Sequence, residues 1–139
     1  GEPYQKGPYT KRYIKELLKR LTALGPKQIV ITGVYFDNKT IGAASYDAVS
    51  DKTEFSFSDF IEGYYPGTGD VFGSVLTGSL LTGKSLTESV RNAVDFTSAS
   101  IVRTNKAGTD MRFGVHFEMG LPSLIQRLGF NKTEFLKTN

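Results

Sequence analysis

The sequence predicts an α/β fold, a layered sandwich with few strands and with helices on its sheet faces. Three observations predict it. Apolar residues at helical spacing over residues 10–24 lead directly into a short β-branched run, Gln28 to Thr32 (QIVIT), which is the αβ step of a layered sheet. Two further strand-like runs follow, Ile41 to Ala48 and Thr53 to Ser58. The rest of the chain reads as helices.

Each element has a local reason. Residues Gly1 to Tyr9 form an irregular, polar lead-in with two prolines, so no signal peptide is expected. Thr10 can cap a helix whose apolar face is Ile14, Leu17, Leu18, Leu21 and Leu24. Gly25-Pro26 stops it, because Gly tolerates a left-handed helix end and Pro cannot continue one. The run 28–32 suits a buried strand in a parallel sheet. Turns at Asp37-Asn38-Lys39 and Ser50-Asp51-Lys52 separate it from the next two strands, which suggest a meander or hairpin beside it. A loop over 59–69 ends in Pro66-Gly67-Thr68-Gly69, and 70–81 reads as a helix apolar on most faces, hence buried. Gly83-Lys84 breaks that helix. Ser85 with Glu88 is a capping box for the next, roughly 86–104, which carries Val90, Val94, Ile101 and Val102. A polar connection over 105–113 leads to a last helix over about 117–128, ending at Gly129. Three strands make a thin sheet for a parallel architecture, and the chain opens on a linker-like segment, so it is expected to be a piece of a longer protein.

Composition excludes several functions. The chain has 139 residues, a formal charge of +3 and no cysteine, which removes disulfides, thiolate metal sites and Cys nucleophiles and suits a cytoplasmic protein. The basic stretch Lys11 to Arg20 reads as a solvated helix face rather than a nucleic-acid footprint. No apolar run is long enough for a bilayer, so neither nucleic acid nor membrane is expected as a partner. The N-x-T sequons at Asn38 and Asn131 read as chance matches.

The residues that carry chemistry are Gly67-Thr68-Gly69-Asp70. Pro66 fixes the approach to the turn. Two glycines let backbone N–H groups converge on an anion, and the helix that follows adds partial positive charge and free donors. Asp70 then stands in the first helical turn beside an anion cradle, as a cap or as a base. On these four residues alone, a plain helix start serves as well.

The flanks add a resemblance. Segments PYTKRYIKELLKRLTALGPKQIVITGV, YYPGTGDVFGSVLTGSLLTGKSLTESVRNAVDFTSASI and GVHFEMGLPSLI resemble, over nearly the whole chain, the C-terminal half of ribokinase-like kinases. The chain resembles their pyridoxal/pyridoxamine kinase branch, the bacterial pyridoxamine kinases in particular. Thr68 favours this branch over sugar and nucleoside kinases, which more often carry Ala there; related hydroxymethylpyrimidine kinases commonly carry Cys where Asp70 stands. The resemblance implies the C-terminal portion of a three-layer ribokinase-like sandwich, with residues 1–139 as its ATP-binding, catalytic part. It implies phosphorylation of the 5′-hydroxyl of pyridoxal, pyridoxine or pyridoxamine. Asp70 would be the base, and the amides of Gly67, Thr68 and Gly69 the anion hole. Thr32 would contact ATP phosphates, with Gly33 allowing close approach, and residues 55–61 and the face of helix 86–104 would border the base. ATP and Mg²⁺ are implied, with room for a monovalent cation and for a homodimer. The family's substrate pocket and its Asn-x-x-Glu magnesium motif belong to an N-terminal half that these residues do not include, so no metal ligand is assigned here. The alternative is a non-catalytic nucleotide-binding or interaction module of the same fold.

A competing motif is present. Residues 78–85 (GSLLTGKS) match the P-loop pattern letter for letter, but the pattern has meaning only between a strand and a helix. Here a helix is expected before it, and Leu80-Leu81 would stand where phosphate belongs. A helix–turn–helix junction is the better expectation. His116 is the sole histidine and reads as structural or exposed. Tyr64-Tyr65 reads as burial under the loop, with covering a ligand as the alternative. Asp47, Asp51, Glu54 and Glu62 are dispersed and give no carboxylate pair.

Overall fold

The computed structural model describes residues 6–130, so the start of the lead-in and the sequon at Asn131 lie outside the described residues. These residues fall into two compact units that divide between Phe60 and Ile61.

The first unit comprises helix α1 (Lys11–Leu21) and strands β1 (Gln28–Val34), β2 (Thr40–Asp47) and β3 (Lys52–Asp59). Thr10 caps α1, its hydroxyl accepting from Tyr13 N at 3.2 Å, a bond worth about 1 kcal/mol. A 3₁₀ turn (Thr22–Leu24) follows and ends at Gly25 with φ 108°, as the Gly-Pro pair predicts. The buried face of α1, Ile14 and Leu18, packs on Ile29, Val34, Ala44 and Tyr46. Each fully buried aliphatic side chain of this kind contributes roughly 1.5–3 kcal/mol. Register explains the set: Ile29 lies opposite Tyr46, Ile31 opposite Ala44 and Ala44 opposite Phe55, so all share one sheet face. Phe36 closes the cluster edge-on against Phe55 and Phe57, with ring centroids 5.5 and 5.3 Å apart. Gly42 is fixed by close approach, because a Cβ there would lie 1.9 Å from Ser56 O.

β1 is expected in a parallel sheet; its one neighbour among the described residues is β2, with which it pairs antiparallel, as β2 does with β3, in the order β1-β2-β3. The five residues between β1 and β2 are too few for a parallel connection, which needs a crossover of about a dozen. The meander is as expected. Its turns are closed by carboxylates: Asp37 accepts from Lys39 N and Thr40 N, and Asp47 from Val49 N and Ser50 N.

The second unit holds helices α2 (Thr68–Leu81), α3 (Leu86–Ala107) and α4 (Leu121–Leu128). Val75 of α2 packs with Ala93 and Phe96 of α3, and Leu124 of α4 joins them. Asn92 donates to the buried Ser79 hydroxyl across the α2–α3 seam. The expectation that α2 is buried on most faces fails: only Val75 and Ser79 are buried, and Leu81 is 83% exposed. Within its unit, α3 and Leu124 cover a single stripe of α2. The predicted last helix is also shorter. Residues Glu118–Gly120 form a 3₁₀ turn and α4 starts at Leu121. Pro122 explains this, since it is tolerated in a first helical turn but would break a helix running through it from residue 117. Among the described residues no helix is long and apolar enough to cross a membrane.

Candidate functional site

The turn that opens α2 is where backbone and chemistry coincide. Gly67 is the N-cap, with φ 83°, a left-handed conformation that only glycine adopts cheaply. The first helical bond runs from Val71 N to Gly67 O at 3.0 Å. The amides of Thr68, Gly69 and Asp70 therefore precede the hydrogen-bonded ladder and have no intrahelical acceptor. Gly69 is exposed, and a Cβ built on it would meet nothing within 4 Å. The packing of this chain thus gives no steric reason for glycine there, and its effect is to leave space open above the free amides. The residues present fit a phosphate group.

Asp70 is exposed in the first turn of α2. Asp70 forms no capping box with Gly67, unlike Glu88 with Ser85 on α3. There the Ser85 hydroxyl accepts from Glu88 N, and Glu88 accepts from Ser85 N at 3.0 Å. Of the other acids weighed from the sequence, Asp47, Asp51 and Glu54 are held elsewhere. Asp47 lies below the usual carboxylate range through its bond from Gln28 and the turn amides. Asp51 is lowered by the Tyr46 hydroxyl and by Lys19. Glu54 pairs with Lys52. Among the described residues no group of three or more His, Asp or Glu could hold a metal ion.

The turn is braced from within its unit. Thr68 Oγ1 donates to Tyr65 O at 3.1 Å, and Tyr65 Oη donates to Glu62 O at 3.1 Å. Asn105, in the last turn of α3, donates through Nδ2 to Tyr65 Oη at 2.9 Å. Tyr65 is half-buried as expected, but Tyr64 is 77% exposed: the loop packs one ring and cannot pack both neighbours on the same side. Sequence reasoning gave Asn105 no role. It lies 40 residues from Tyr65, and no local spacing announces such a bond.

Thr32 and Gly33 stand at the end of β1 in the other unit, both exposed. Thr32 lies opposite Ala43, and the register slips between Thr32 and Val34. Gly33, at φ 70°, is the extra residue of this bulge, so it has a backbone reason of its own. Phe55 and Phe57, in the stretch expected to border a base, pack against the core of that unit.

The P-loop match is a helix junction. Residues 78–81 end α2, Gly83 turns at φ 81°, and Ser85 caps α3. The loop amides are used internally: Gly83 N donates to Leu80 O and Lys84 N to Ser79 O. His116 is structural. Its N–H donates to Thr104 Oγ1 at 2.8 Å, its carbonyl accepts from Arg103 Nε at 2.9 Å, and its Nε2 lies 2.9 Å from Thr109 Oγ1.

Comparisons with known proteins agree on a family. Residues 5–114 match the family model described as phosphomethylpyrimidine kinase. Among solved structures, a provisionally assigned phosphomethylpyrimidine kinase from Bacteroides thetaiotaomicron is 32% identical with a TM-score of 0.82; the match covers 88% of this chain and 42% of that one. A second crystal form of that protein, with pyridoxal, gives 32% identity, a TM-score of 0.80, and coverage of 88% and 43%. Pyridoxal kinase from Lactobacillus plantarum is 27% identical with a TM-score of 0.76, over 89% of this chain and 44% of that one. The chain thus spans less than half the length of these solved relatives. Among curated proteins, none matches it significantly.

Proposed function

The chain belongs to the phosphomethylpyrimidine kinase family, with the mixed α/β fold of its kinases in part, and from that premise we propose that it is the ATP-binding, catalytic part of a pyridoxal-type kinase. One observation carries the reading: α2 opens on three free amides under an uncovered glycine, with a carboxylate beside them that serves no cap. Phosphoryl transfer asks a protein for positioning and charge stabilisation more than for covalent chemistry. The free amides of Thr68 and Gly69, together with that of Gly67 as the resemblance implies, would receive the charge that builds on the oxygens of the transferring phosphoryl group. Asp70 would take the proton from the substrate hydroxymethyl group as its oxygen bonds to the γ-phosphorus and the β,γ-bridging bond breaks, leaving ADP. Thr32 would contact the ATP phosphates.

Asp70, rather than the Cys common in hydroxymethylpyrimidine kinases, supports the vitamin B6 side of the family. So does the relative crystallised with pyridoxal. Phosphates tied to a divalent ion fit this amide cradle; the magnesium ligands themselves are not expected among these residues, which offer Asp70 alone at the turn. The test is Asp70→Asn in the full-length protein, assayed with ATP and pyridoxal. Loss of a general base should lower kcat by roughly 10²–10⁴-fold. Turnover near the wild-type rate would show that Asp70 is not the base.

A further inference from the structure

The amides of an anion hole act only if they are held in place, and the residues that hold these are not in the motif. Tyr65 ties the turn at two points. Its carbonyl accepts from Thr68 Oγ1 at 3.1 Å, in the first residue of α2. Its hydroxyl closes the preceding loop on Glu62 O. The ring lies so close over Gly63 that a Cβ there would come within 2.8 Å of it. Asn105 then fixes the Tyr65 hydroxyl from the end of α3, at 2.9 Å. Gly108 N bonds Asn105 O at 3.2 Å and closes that helix end. A chain of hydrogen bonds thus runs from Asn105 through Tyr65 to the Thr68 hydroxyl, on the first residue of α2, whose backbone carries the amides of the turn.

We propose that Tyr65 and Asn105 are positioning residues for phosphoryl transfer, setting the anion-hole amides of Thr68 and Gly69 through this relay. The inference rests on the reading of 67–70 as an anion hole. Asn105 is exposed, and an exposed amide–hydroxyl bond adds little net stability. Its consequence is therefore geometric: small displacements of positioning groups are enough to cost up to about 10²-fold in rate.

Two measurements test it. In the full-length protein, Tyr65→Phe and Asn105→Ala should each lower kcat roughly tenfold or more. KM for pyridoxal and the melting temperature should be nearly unchanged, the double variant no worse than the poorer single one, and Asn105→Gln should restore most of the rate. Unchanged kcat, losses that multiply in the double variant, or a fall in rate matched by a fall in melting temperature overturns the proposal. In the 139-residue chain without ligand, Asn105→Ala should move the amide NMR resonances of Thr68 and Gly69; unmoved resonances overturn it as well. If Asp70→Asn stays active, the base assignment fails by itself, and the ligand-free resonances still decide the relay.

Discussion

At the scale of single residues, the two glycines of the turn do different work. Gly67 sits at φ 83° and answers to the backbone. Gly69 meets nothing within 4 Å, as do Gly73 and Gly78 further along α2; what sets it apart is its place beside the free amides, where an approaching ligand would give a return for the helix propensity given up. Gly69→Ala should therefore act in opposite directions on stability and binding. It should raise stability by up to about 1 kcal/mol, since Ala exceeds Gly in a helix by that amount, while sharply weakening ATP binding measured by calorimetry. A variant that binds ATP like wild type would show that the turn is not the anion cradle. Gly33 makes the contrast. At φ 70° in the β1 bulge, Gly33→Ala should cost about 1 kcal/mol or more in a denaturant melt, because an L residue pays that much in the left-handed region.

Elements were legible from the sequence to the degree that their causes are local. Thr10 before α1, Gly25 after it, and the Ser85/Glu88 box before α3 all stand where four or five residues said they would. The meander beside β1 was legible from its turns, whereas a parallel neighbour for β1 has no counterpart among the described residues, because such a partner comes from far along the chain. The burial of α2 was not legible: an apolar composition says that a helix wants cover, not which of its faces gets it within the unit. The GTGD turn was visible as a motif, whereas Tyr65–Asn105, at 40 residues' separation, could be seen only in the fold. The junction at 83–85 gives a direct check. Lys84→Ala should leave both ATP binding and melting temperature nearly unchanged, since the residue belongs to a helix junction; loss of nucleotide binding would revive the P-loop reading. The hairpin turn at Asp47 gives a second check, through pH. Its folded carboxylate is lowered by Gln28 and by the amides of residues 49 and 50. A lowered folded pKa means that the stabilisation is complete above the unfolded value, about 3.9, and is lost as pH falls through the lower folded value. Thermal melts from pH 5 down to 2 should then show a shallower acid-side decline for Asp47→Asn than for wild type.

For the molecule as a whole, the donor set decides what these residues can do unaided. Phosphoryl transfer places several negative charges on oxygens around one phosphorus, and kinases neutralise them with divalent cations held by carboxylates as well as with amides. The described residues supply the amides, in an open cradle, and one uncommitted carboxylate at its edge. Asp37, Asp47, Asp51, Glu88 and Asp110 are each drawn below the usual range by partners that close turns, caps or ion pairs, and among the described residues no group of three potential ligands forms. The solved relatives are more than twice as long as the segment they share with this chain. Nucleotide affinity and turnover should therefore separate. The 139-residue chain is expected to convert no pyridoxal in the presence of ATP and Mg²⁺, as followed by absorbance of the phosphorylated product. A full-length protein containing it is expected to do so, and to lose that activity with Asp70→Asn. Turnover by the 139 residues alone would mean that one carboxylate and three amides suffice for the reaction, and would move the missing ligands from the rest of the protein to these elements.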